Sequence, residues 1–330
     1  MAVTIIDIAA KTGISKSTVS RVIVGKGPVS EKSRQKVLKA MEEMQYSPNA
    51  VARSMVTKRT GNIAFITSQN HTPAVSHPFY SRILDGVLGE VNRMNYNLII
   101  GSENDIKDSS SVIFQKRMDG VILASNVRPQ IVDMFRQHEI PIVFVNNLSD
   151  AQDVVCVMSD DYGGASAAMD YLISKGHRRI AFICGYPDHS SYIQRHNAYM
   201  NAMKRSGIDV DDKIVRFCGH RTEDGRIAMT KLLLETRDFS AVFASNDFIA
   251  VGIIKALKAA GCRIPEDVAV VGFDDLDMAQ IVDPELTTIQ TDKESIGVNA
   301  VECLCAMMEK KSVPERVRIL KTRLIIRQST

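Results

Sequence analysis

The chain has 330 residues, of which 45% are hydrophobic and 24% are charged, and its formal net charge is +3. This length exceeds that of one ordinary domain, so we expect a globular chain with more than one domain. No apolar run reaches the roughly 18 residues of a membrane span, and Asp7 interrupts the start where a secretory signal would be apolar. We therefore expect a cytoplasmic protein without membrane contact, with its six cysteines as reduced core thiols.

The positive charge is concentrated at the start of the chain. Residues 1–60 contain 11 Lys or Arg and 4 Asp or Glu, whereas the remaining residues hold 30 bases and 34 acids. A basic head on a slightly acidic body favours contact between the head and a polyanion, although a solvated charged face explains the charge equally well.

Residues 4–24, TIIDIAAKTGISKSTVSRVIV, contain two apolar repeats of helical spacing separated by a glycine turn, and Ser15 is placed to cap the second helix. Two short helices joined in this way predict a helix-turn-helix. The second helix would direct Lys16, Ser17 and Arg21 outward, where they can contact phosphates or base edges in a DNA major groove.

A third helix is predicted in residues 29–48, VSEKSRQKVLKAMEEMQYSP, with Ser30 as its cap. Its apolar stripe, which we interpret as core packing, would consist of Val37, Leu38, Met41 and Met44. The stretch SPNAVARSM that begins at Ser47 also has a helix start, because a proline follows the cap residue. This helix would have only about two turns, which is too short for stability on its own.

From residue 62 onward, apolar strands alternate with amphipathic helices. This order predicts an α/β fold in which parallel sheets are wound with helices on both faces, and about eight strands fit two such sheets better than one. The predicted strands are NIAFIT, YNLIIG, DGVILAS, IPIVFVNN, RIAFICG, KIVRFCG, SAVFASN and VAVVGFDD.

Polar residues directly follow three of these strands, at the sheet edge where ligands bind in such folds. They are Asn146, Asn147, Asn246, Asp247, Asp274 and Asp275. Carboxylate and amide groups suit a hydroxyl-rich ligand, although they also serve as ordinary helix caps. Motifs for dinucleotide binding, phosphate loops, serine hydrolases and zinc proteases are absent from the sequence. We therefore expect no catalytic residue, no metal and no other cofactor.

Several motifs in this order resemble the lactose and galactose repressor (LacI/GalR) family of bacterial transcription regulators. They are TIIDIAAKTGISKSTVSRVI, YSPNAVARSM, HPFYSRILDGV, RMDGVIL, SDDYGGASAAMDYLISKGHRRIAFICG, AVFASNDFIAVG, IPEDVAVVGFDD, PELTTIQ and RLIIRQST. The resemblance implies a small all-α DNA-binding head and a core like periplasmic sugar-binding proteins, with two doubly wound parallel-sheet subdomains. The implied bounds are 1–46 for the head, 47–60 for a hinge helix and linker, and 61–330 for the core. Within the core, the N-subdomain would comprise about 61–160 and 290–320, and the C-subdomain about 161–289 and 321–330.

The family's DNA contacts carry over to specific residues of both the head and the hinge. In the head they are Thr4, Ser15, Lys16, Ser17, Thr18 and Arg21, and in the hinge they are Asn49, Ala52 and Met55. In this family the hinge helix forms when two copies pair on DNA and push a side chain into the minor groove. Met55 occupies this wedge position, where the family usually has Leu, so operator bending or affinity should differ.

The resemblance also implies a set of effector contacts in the core. They are Phe79, Tyr80, Asn146, Arg195, His220, Asn246 and Asp274. Asn146 stands where Asp is common, and His220 stands where Phe or Trp is often found. The segment near residues 105–116 is about one helical turn shorter than is usual, which leaves partner contacts there open.

The function implied is a repressor of carbohydrate uptake or breakdown genes that binds a near-palindromic double-stranded operator as a homodimer at the bacterial nucleoid. Dimers are expected because the leucine heptad of the tetrameric lactose repressor does not follow RQST. A catabolite regulator whose effector is a phosphorylated carrier protein is the alternative within this class. A sugar-binding module or a sugar-acting enzyme is the alternative outside it, and a missing signal segment and missing catalytic motifs argue against these two.

Overall fold

A computed structural model describes residues 3–24, 27–46, 59–68, 74–108, 118–187 and 189–330. The predicted hinge helix, with Asn49, Ala52 and Met55, lies outside the described residues, as does most of the segment expected to be shortened. The chain divides into two compact units, and the main boundary falls between Gly61 and Asn62. The first unit is the head and the second is the core.

The head consists of three helices around a small apolar centre. They are α1 (Ile5–Thr12), α2 (Lys16–Val24) and α3 (Glu31–Glu43). Gly13 ends α1 with a φ of 65°, a conformation that glycine adopts without strain. The predicted caps are confirmed, because Ser15 Oγ accepts from Thr18 N at 3.3 Å and Ser30 Oγ accepts from Ser33 N at 3.3 Å. This geometry confirms the helix-turn-helix.

One residue of the predicted stripe on α3 is not part of the core. Val37 is fully buried, and Met41 and Met44 pack against the same cluster, but the side chain of Leu38 is 49% exposed. Leu38 was assigned wrongly because it lies next to Val37 in sequence, and adjacent helical residues point about 100° apart.

The core contains two parallel sheets, which confirms the predicted α/β class. The first sheet has the strand order β11-β5-β4-β3-β1-β2, the second has the order β7-β6-β8-β9, and β10 pairs with β12 in a separate antiparallel ribbon. The strands are β1 (Asn62–Thr67), β2 (Asn97–Ser102), β3 (Gly120–Ala124), β4 (Ile142–Val145), β5 (Val155–Ser159), β6 (Ile180–Cys184), β7 (Val215–Phe217), β8 (Ala241–Ala244), β9 (Ala269–Val271), β10 (Thr288–Gln290), β11 (Val317–Leu320) and β12 (Arg323–Ile325).

Helices cover both sheets. The helices of the core are α4 (Pro78–Arg93), α5 (Glu103–Asp108), α6 (Pro129–Gln137), α7 (Asp161–Ser174), α8 (Ser190–Arg205), α9 (Thr222–Glu235), α10 (Asp247–Ala259), α11 (Met278–Ile281) and α12 (Lys293–Met308). None of the helices in the described part of the chain has the length and apolar character needed to cross a lipid bilayer. All six cysteines are free thiols, and four of them are buried as expected, whereas Cys218 and Cys262 are only partly buried.

The chain passes between the two sheets at three places in the described residues. After β5 it leaves the first sheet and enters α7, which packs beside the second sheet. After β10 it enters α12, which packs on α4 and the first sheet. After β11 of the first sheet it continues into β12, whose Leu324 packs on the core of the second.

Helices α4 and α12 pack closely against each other at a glycine, Gly86. A Cβ at Gly86 of α4 would lie 2.1 Å from the carbonyl oxygen of Glu294, whereas a Cβ at Gly89 would meet no atom within 4 Å. Gly86 therefore permits the close contact of the two helices, and Gly89 does not serve this purpose.

We expect Gly86→Ala to destabilise the full chain by roughly 1–3 kcal/mol, because the helices must separate to accept the methyl group. Gly89→Ala is the matched control on the same helix, and it should stabilise by up to about 1 kcal/mol, since alanine is the better helix former. Guanidinium unfolding measures both free energies. Equal stabilisation by the two substitutions would contradict the close packing at Gly86.

Candidate functional site

The second helix of the head presents a polar, basic surface. Lys16, Ser17 and Arg21 are exposed on α2, as the sequence predicted, while Val19 between them is buried. The hydroxyl of Ser15 lies 3.0 Å from that of Ser17 and 2.9 Å from that of Thr18. Such a row of hydroxyl and cationic groups on one helix can contact phosphates and base edges.

Thr4 lies at the start of α1, where it is exposed. Its backbone N donates to Asp7 Oδ2 at 2.8 Å, and its hydroxyl donates to the same oxygen at 2.7 Å. These two hydrogen bonds hold Thr4 against the first turn of α1.

In the core, a cavity of about 720 Å³ lies at the carboxyl ends of strands from both sheets. All seven residues predicted as effector contacts line this cavity: Phe79, Tyr80, Asn146, Arg195, His220, Asn246 and Asp274. Its volume lies in the range of small-molecule sites, about 300–1,000 Å³. The sequence therefore predicted correctly which residues come together.

Arg195 is a buried cation on α8, with only 2% of its surface exposed. Its Nε and Nη2 donate to Asp161 Oδ1 at 2.9 and 2.6 Å, and Nη2 lies 3.4 Å from Asp274 Oδ1. The guanidinium also lies 3.6 Å from the centre of the Phe273 ring. Burial opposes the charge, but the carboxylates of Asp161 and Asp274 outweigh it and raise the pKa of Arg195.

Asp274 follows β9 and has a φ of 112°, a strained backbone conformation for a residue other than glycine. The ammonium group of Lys293 donates to the backbone oxygens of Asp274 and Asp275 and so holds this turn in place. Burial raises the pKa of Asp274 to about 6, although Arg195 and Lys293 favour the ionised form. Its carboxylate faces the cavity and can accept hydrogen bonds from hydroxyl groups.

The amide of Asn146 joins the two halves of the core. Its Nδ2 donates to the hydroxyl of Tyr80 at 3.2 Å, and its Oδ1 accepts from Ser191 Oγ at 3.1 Å. The residue also has a φ of 56°, which Asn tolerates better than most residues.

Asn246 caps helix α10 and also lines the cavity, so the two alternatives considered for its position do not exclude each other. Its Oδ1 accepts from Ile249 N at 2.8 Å at the start of α10. Its Nδ2 donates to the hydroxyl of Tyr192 at 3.0 Å and to the carbonyl oxygen of His220 at 3.2 Å.

Aromatic rings form much of the remaining wall. Phe79 and Tyr80 lie in the first turn of α4 with their ring centres 5.2 Å apart. His77 caps this helix, because its Nδ1 accepts from Phe79 N at 3.3 Å. Burial, together with nearby His220, lowers the pKa of His77 to about 4, so its ring is neutral near pH 7.

Sequence reasoning missed several residues that line the same cavity, among them Ser68, Ser125, Asn126, Tyr186 and Tyr192. Ser68 directly follows β1 and Ser125 directly follows β3. The rule that selected Asn146 and Asp274 would have selected both of them if it had been applied to every strand. The hydroxyl of Ser68 is buried without a hydrogen-bond partner in the described part of the chain.

Three aspartates follow β9: Asp274, Asp275 and Asp277. Their carboxylates do not converge on one point, because each of them faces a different arginine. Asp274 faces Arg195, Asp275 pairs with Arg327 at 2.7 Å, and Asp277 pairs with Arg82 at 3.4 Å. Within the described residues, the side chains of His, Cys, Asp and Glu form no group that could hold a metal ion.

A helix-turn-helix head with an exposed basic helix, together with a cavity between two parallel-sheet halves in the core, is the arrangement of a ligand-responsive transcription regulator. The comparisons with known proteins support this class. Residues 4–49 match the bacterial regulatory proteins of the lacI family, and residues 169–330 match a periplasmic binding protein-like domain.

Similar proteins extend the match over the whole chain. The HTH-type transcriptional regulator CelR of Thermobifida fusca is 31% identical over 98% of this chain and 96% of its own length. The solved complex of the regulator CelR with cellobiose is 30% identical, covers 99% of this chain and all of its own, and has a TM-score of 0.77. The lac repressor dimer bound to operator and the anti-inducer ONPF is 25% identical, covers 100% and 99%, and has a TM-score of 0.84.

The chain belongs to the lacI family of bacterial transcription regulators, and the similar proteins are DNA-binding transcription regulators.

A second buried carboxyl belongs to Asp247, the first residue of α10, which directly follows the cavity residue Asn246. Asp247 Oδ2 accepts from Leu276 N at 2.7 Å, and Oδ1 accepts from the hydroxyl of Thr288 at 2.6 Å. Burial, and then the charge of Asp274, raises the pKa of Asp247 to about 8. Asp247 thus connects the start of α10 to the turn that carries Asp274.

This carboxyl should make stability depend on pH. Because its folded-state pKa lies above the unfolded value of 3.8, the folded protein binds the proton more tightly. The resulting stabilisation is complete below about pH 4 and is lost as the pH rises through about 8. We expect Asp247→Asn to reduce the fall in unfolding free energy between about pH 5 and pH 8, as measured by urea titration. Asp150→Asn, at an exposed carboxyl, is the control, and identical pH slopes for wild type and Asp247→Asn would contradict the assignment.

Proposed function

We propose that the chain is a repressor of carbohydrate uptake or breakdown genes, with a sugar effector in the core cavity that controls operator affinity. The observation that carries the proposal is the cavity wall, which combines a carboxylate, amides and hydroxyls with the aromatic rings of Phe79 and Tyr80. Polar groups of this kind bind hydroxyls, and aromatic rings pack on the apolar faces of a sugar ring. CelR bound to cellobiose, a similar structure, supports this ligand class.

Within this proposal, Asp274 and Arg195 orient the effector, and Asn146 and Asn246 contribute further polar contacts. Phe79, Tyr80 and His220 provide the apolar and aromatic surface. The charges of the cavity suit a neutral ligand, because Arg195 already lies between the carboxylates of Asp161 and Asp274. An additional negative charge on the ligand would repel these two carboxylates.

The head would bind the operator through α2, with Lys16, Ser17 and Arg21 at the centre of the contact and Thr4, Ser15 and Thr18 around them. Asn49, Ala52 and Met55 would contact the minor groove in the hinge. We propose a homodimer on a near-palindromic operator, since the lac repressor of similar structure is a dimer on its operator. A regulator that acts on chromosomal DNA works in the cytoplasm, at the nucleoid.

Control would result from a change in the balance between open and closed forms of the core. An effector shifts this balance only by the difference in its affinity for the two forms. The cavity is lined by both halves of the core, so closure changes the effector's contacts, and the effector can distinguish the forms.

Arg21→Ala should weaken binding to the specific operator by roughly tenfold to 100-fold and relax specificity at one base pair of each half-site. The operator would first be selected from a random duplex pool with the full chain, and affinities would be measured at fixed salt. Lys204→Ala removes an exposed charge from the core and is the matched control. Equal losses on operator and random DNA would show that Arg21 contacts only phosphate.

A sugar effector should raise the melting temperature of the full chain. A ligand at about 100 times its dissociation constant adds about 2.7 kcal/mol of stability. The panel comprises mono- and disaccharides, sugar phosphates, nucleosides and purines. Asp274→Asn should abolish the shift given by the active sugar, because it removes the carboxylate that accepts its hydroxyls.

Asp150→Asn, at an exposed site, should leave the shift unchanged. A shift from purines alone, or a sugar shift that survives Asp274→Asn, would contradict the proposed use of the cavity.

A further inference from the structure

The polar side chains of the cavity form two sets. The first set is hydrogen-bonded to other groups of the protein, and the second set is not. Asn146, Arg195 and Asn246 are buried, and each is hydrogen-bonded to other protein groups. These residues form the inner part of the cavity. Their bonds to the protein fix their positions before any ligand arrives.

The outer part consists of Asn126, Tyr186 and Arg221, which line the same cavity but are exposed. Across the described ranges of the chain, no hydrogen bond or ion pair is found for the Asn126 amide, the Tyr186 hydroxyl or the Arg221 guanidinium. Asn126 follows β3 of the first sheet, whereas Tyr186 and Arg221 follow β6 and β7 of the second. The outer part therefore contributes exposed polar side chains from both halves of the core, and none of the three has a hydrogen-bond partner in the described residues.

Tyr186 is the exposed aromatic residue of this outer part, with 54% of its surface accessible. Its ring centre lies 6.0 Å from that of His220, in an edge-to-face arrangement. Its backbone is held in place, because its carbonyl oxygen accepts from His189 N at 3.3 Å and the preceding Gly185 N donates to Ser245 Oγ at 2.9 Å. A large aromatic side chain on an anchored turn, exposed beside a polar cavity, is a suitable surface for stacking a sugar ring.

The cavity has room for more than one sugar ring. At the roughly 30 Å³ that a water molecule occupies in the liquid, the dozen heavy atoms of a hexose need at most about 360 Å³. The cavity measures about 720 Å³. Space for a second ring therefore remains, and the outer residues line this same cavity with exposed side chains.

We propose that the effector is a neutral disaccharide, or a longer saccharide, whose first ring occupies the inner part and whose second ring stacks on Tyr186. Arg221 and Asn126 donate hydrogen bonds to hydroxyls of this second ring. This inference rests on the proposed sugar-responsive function. It assigns binding of the first ring to the inner residues, and it assigns the preference for a saccharide of two or more rings to the outer residues.

Titration calorimetry on the full chain tests the proposal with matched pairs of sugars: glucose with cellobiose, glucose with maltose, and galactose with lactose. For at least one pair, the disaccharide should bind at least about tenfold more tightly than its monosaccharide. Tyr186→Ala should weaken binding of that disaccharide by roughly three- to tenfold, the worth of one aromatic contact. It should change monosaccharide binding by less than about twofold.

Two further variants distinguish stacking from general damage. Tyr186→Phe keeps the ring and should retain the preference for the disaccharide, whereas Asp274→Asn should weaken both sugars of a pair. Melting curves of each variant show whether it is folded. Equal binding of mono- and disaccharide, or an equal loss of both in Tyr186→Ala, would overturn the second-ring site and leave the sugar-responsive function intact. Absence of binding by every sugar of the panel would overturn both.

Discussion

The buried guanidinium of Arg195 is the interaction on which the arrangement of the cavity depends. It connects three segments that are distant in sequence: the start of α7 at Asp161, helix α8, and the strained turn at Asp274. A buried ion pair contributes little net stability, because desolvation offsets most of the attraction, but loss of one partner leaves an uncompensated charge. All the donor contacts to Asp161 go to Oδ1, and its Oδ2 is buried without a partner in the described chain. The pair therefore specifies geometry more than it stabilises the fold.

The position of the cavity follows from the topology of both sheets. In the first sheet β1 lies between β2 and β3, and in the second sheet β6 lies between β7 and β8. The strand order therefore reverses between β1 and β3 in the first sheet and between β6 and β8 in the second. Ligands of doubly wound sheets bind outside the carboxyl ends of strands at such a point. Ser68 and Ser125 mark it in the first sheet, and Tyr186 and Asn246 mark it in the second. A single cavity uses both points because the two sheets face each other across it.

Much of this arrangement could be predicted from the sequence, and the failures have physical causes. All eight predicted strands are present, and buried ones such as β1 and β3 are continuous apolar runs. Strands β10, β11 and β12 were not predicted, and their sequences TIQ, VRIL and RLI are short and contain polar residues. Strand β5 is fully buried and was missed although its sequence, VCVMS, is apolar. The protein partners of Asn146 and Asn246 could not be predicted, because they come from segments 45 and 54 residues away.

Hydrogen bonds between the two halves of the core bear on how the proposed control by an effector would work. Ser191 donates to Asn146 and Ser190 donates to Asn147 Oδ1 at 3.1 Å, and both contacts join the first turn of α8 to the end of β4. A net gain of about 1 kcal/mol for each bond shifts the balance between closed and open forms by only about 30-fold. An effector that prefers one form by a few kcal/mol would therefore shift this balance by at least as much as the two bonds do. Under the proposed control by closure, bonds of this strength would leave the position of the balance to the ligand's own preference for one form.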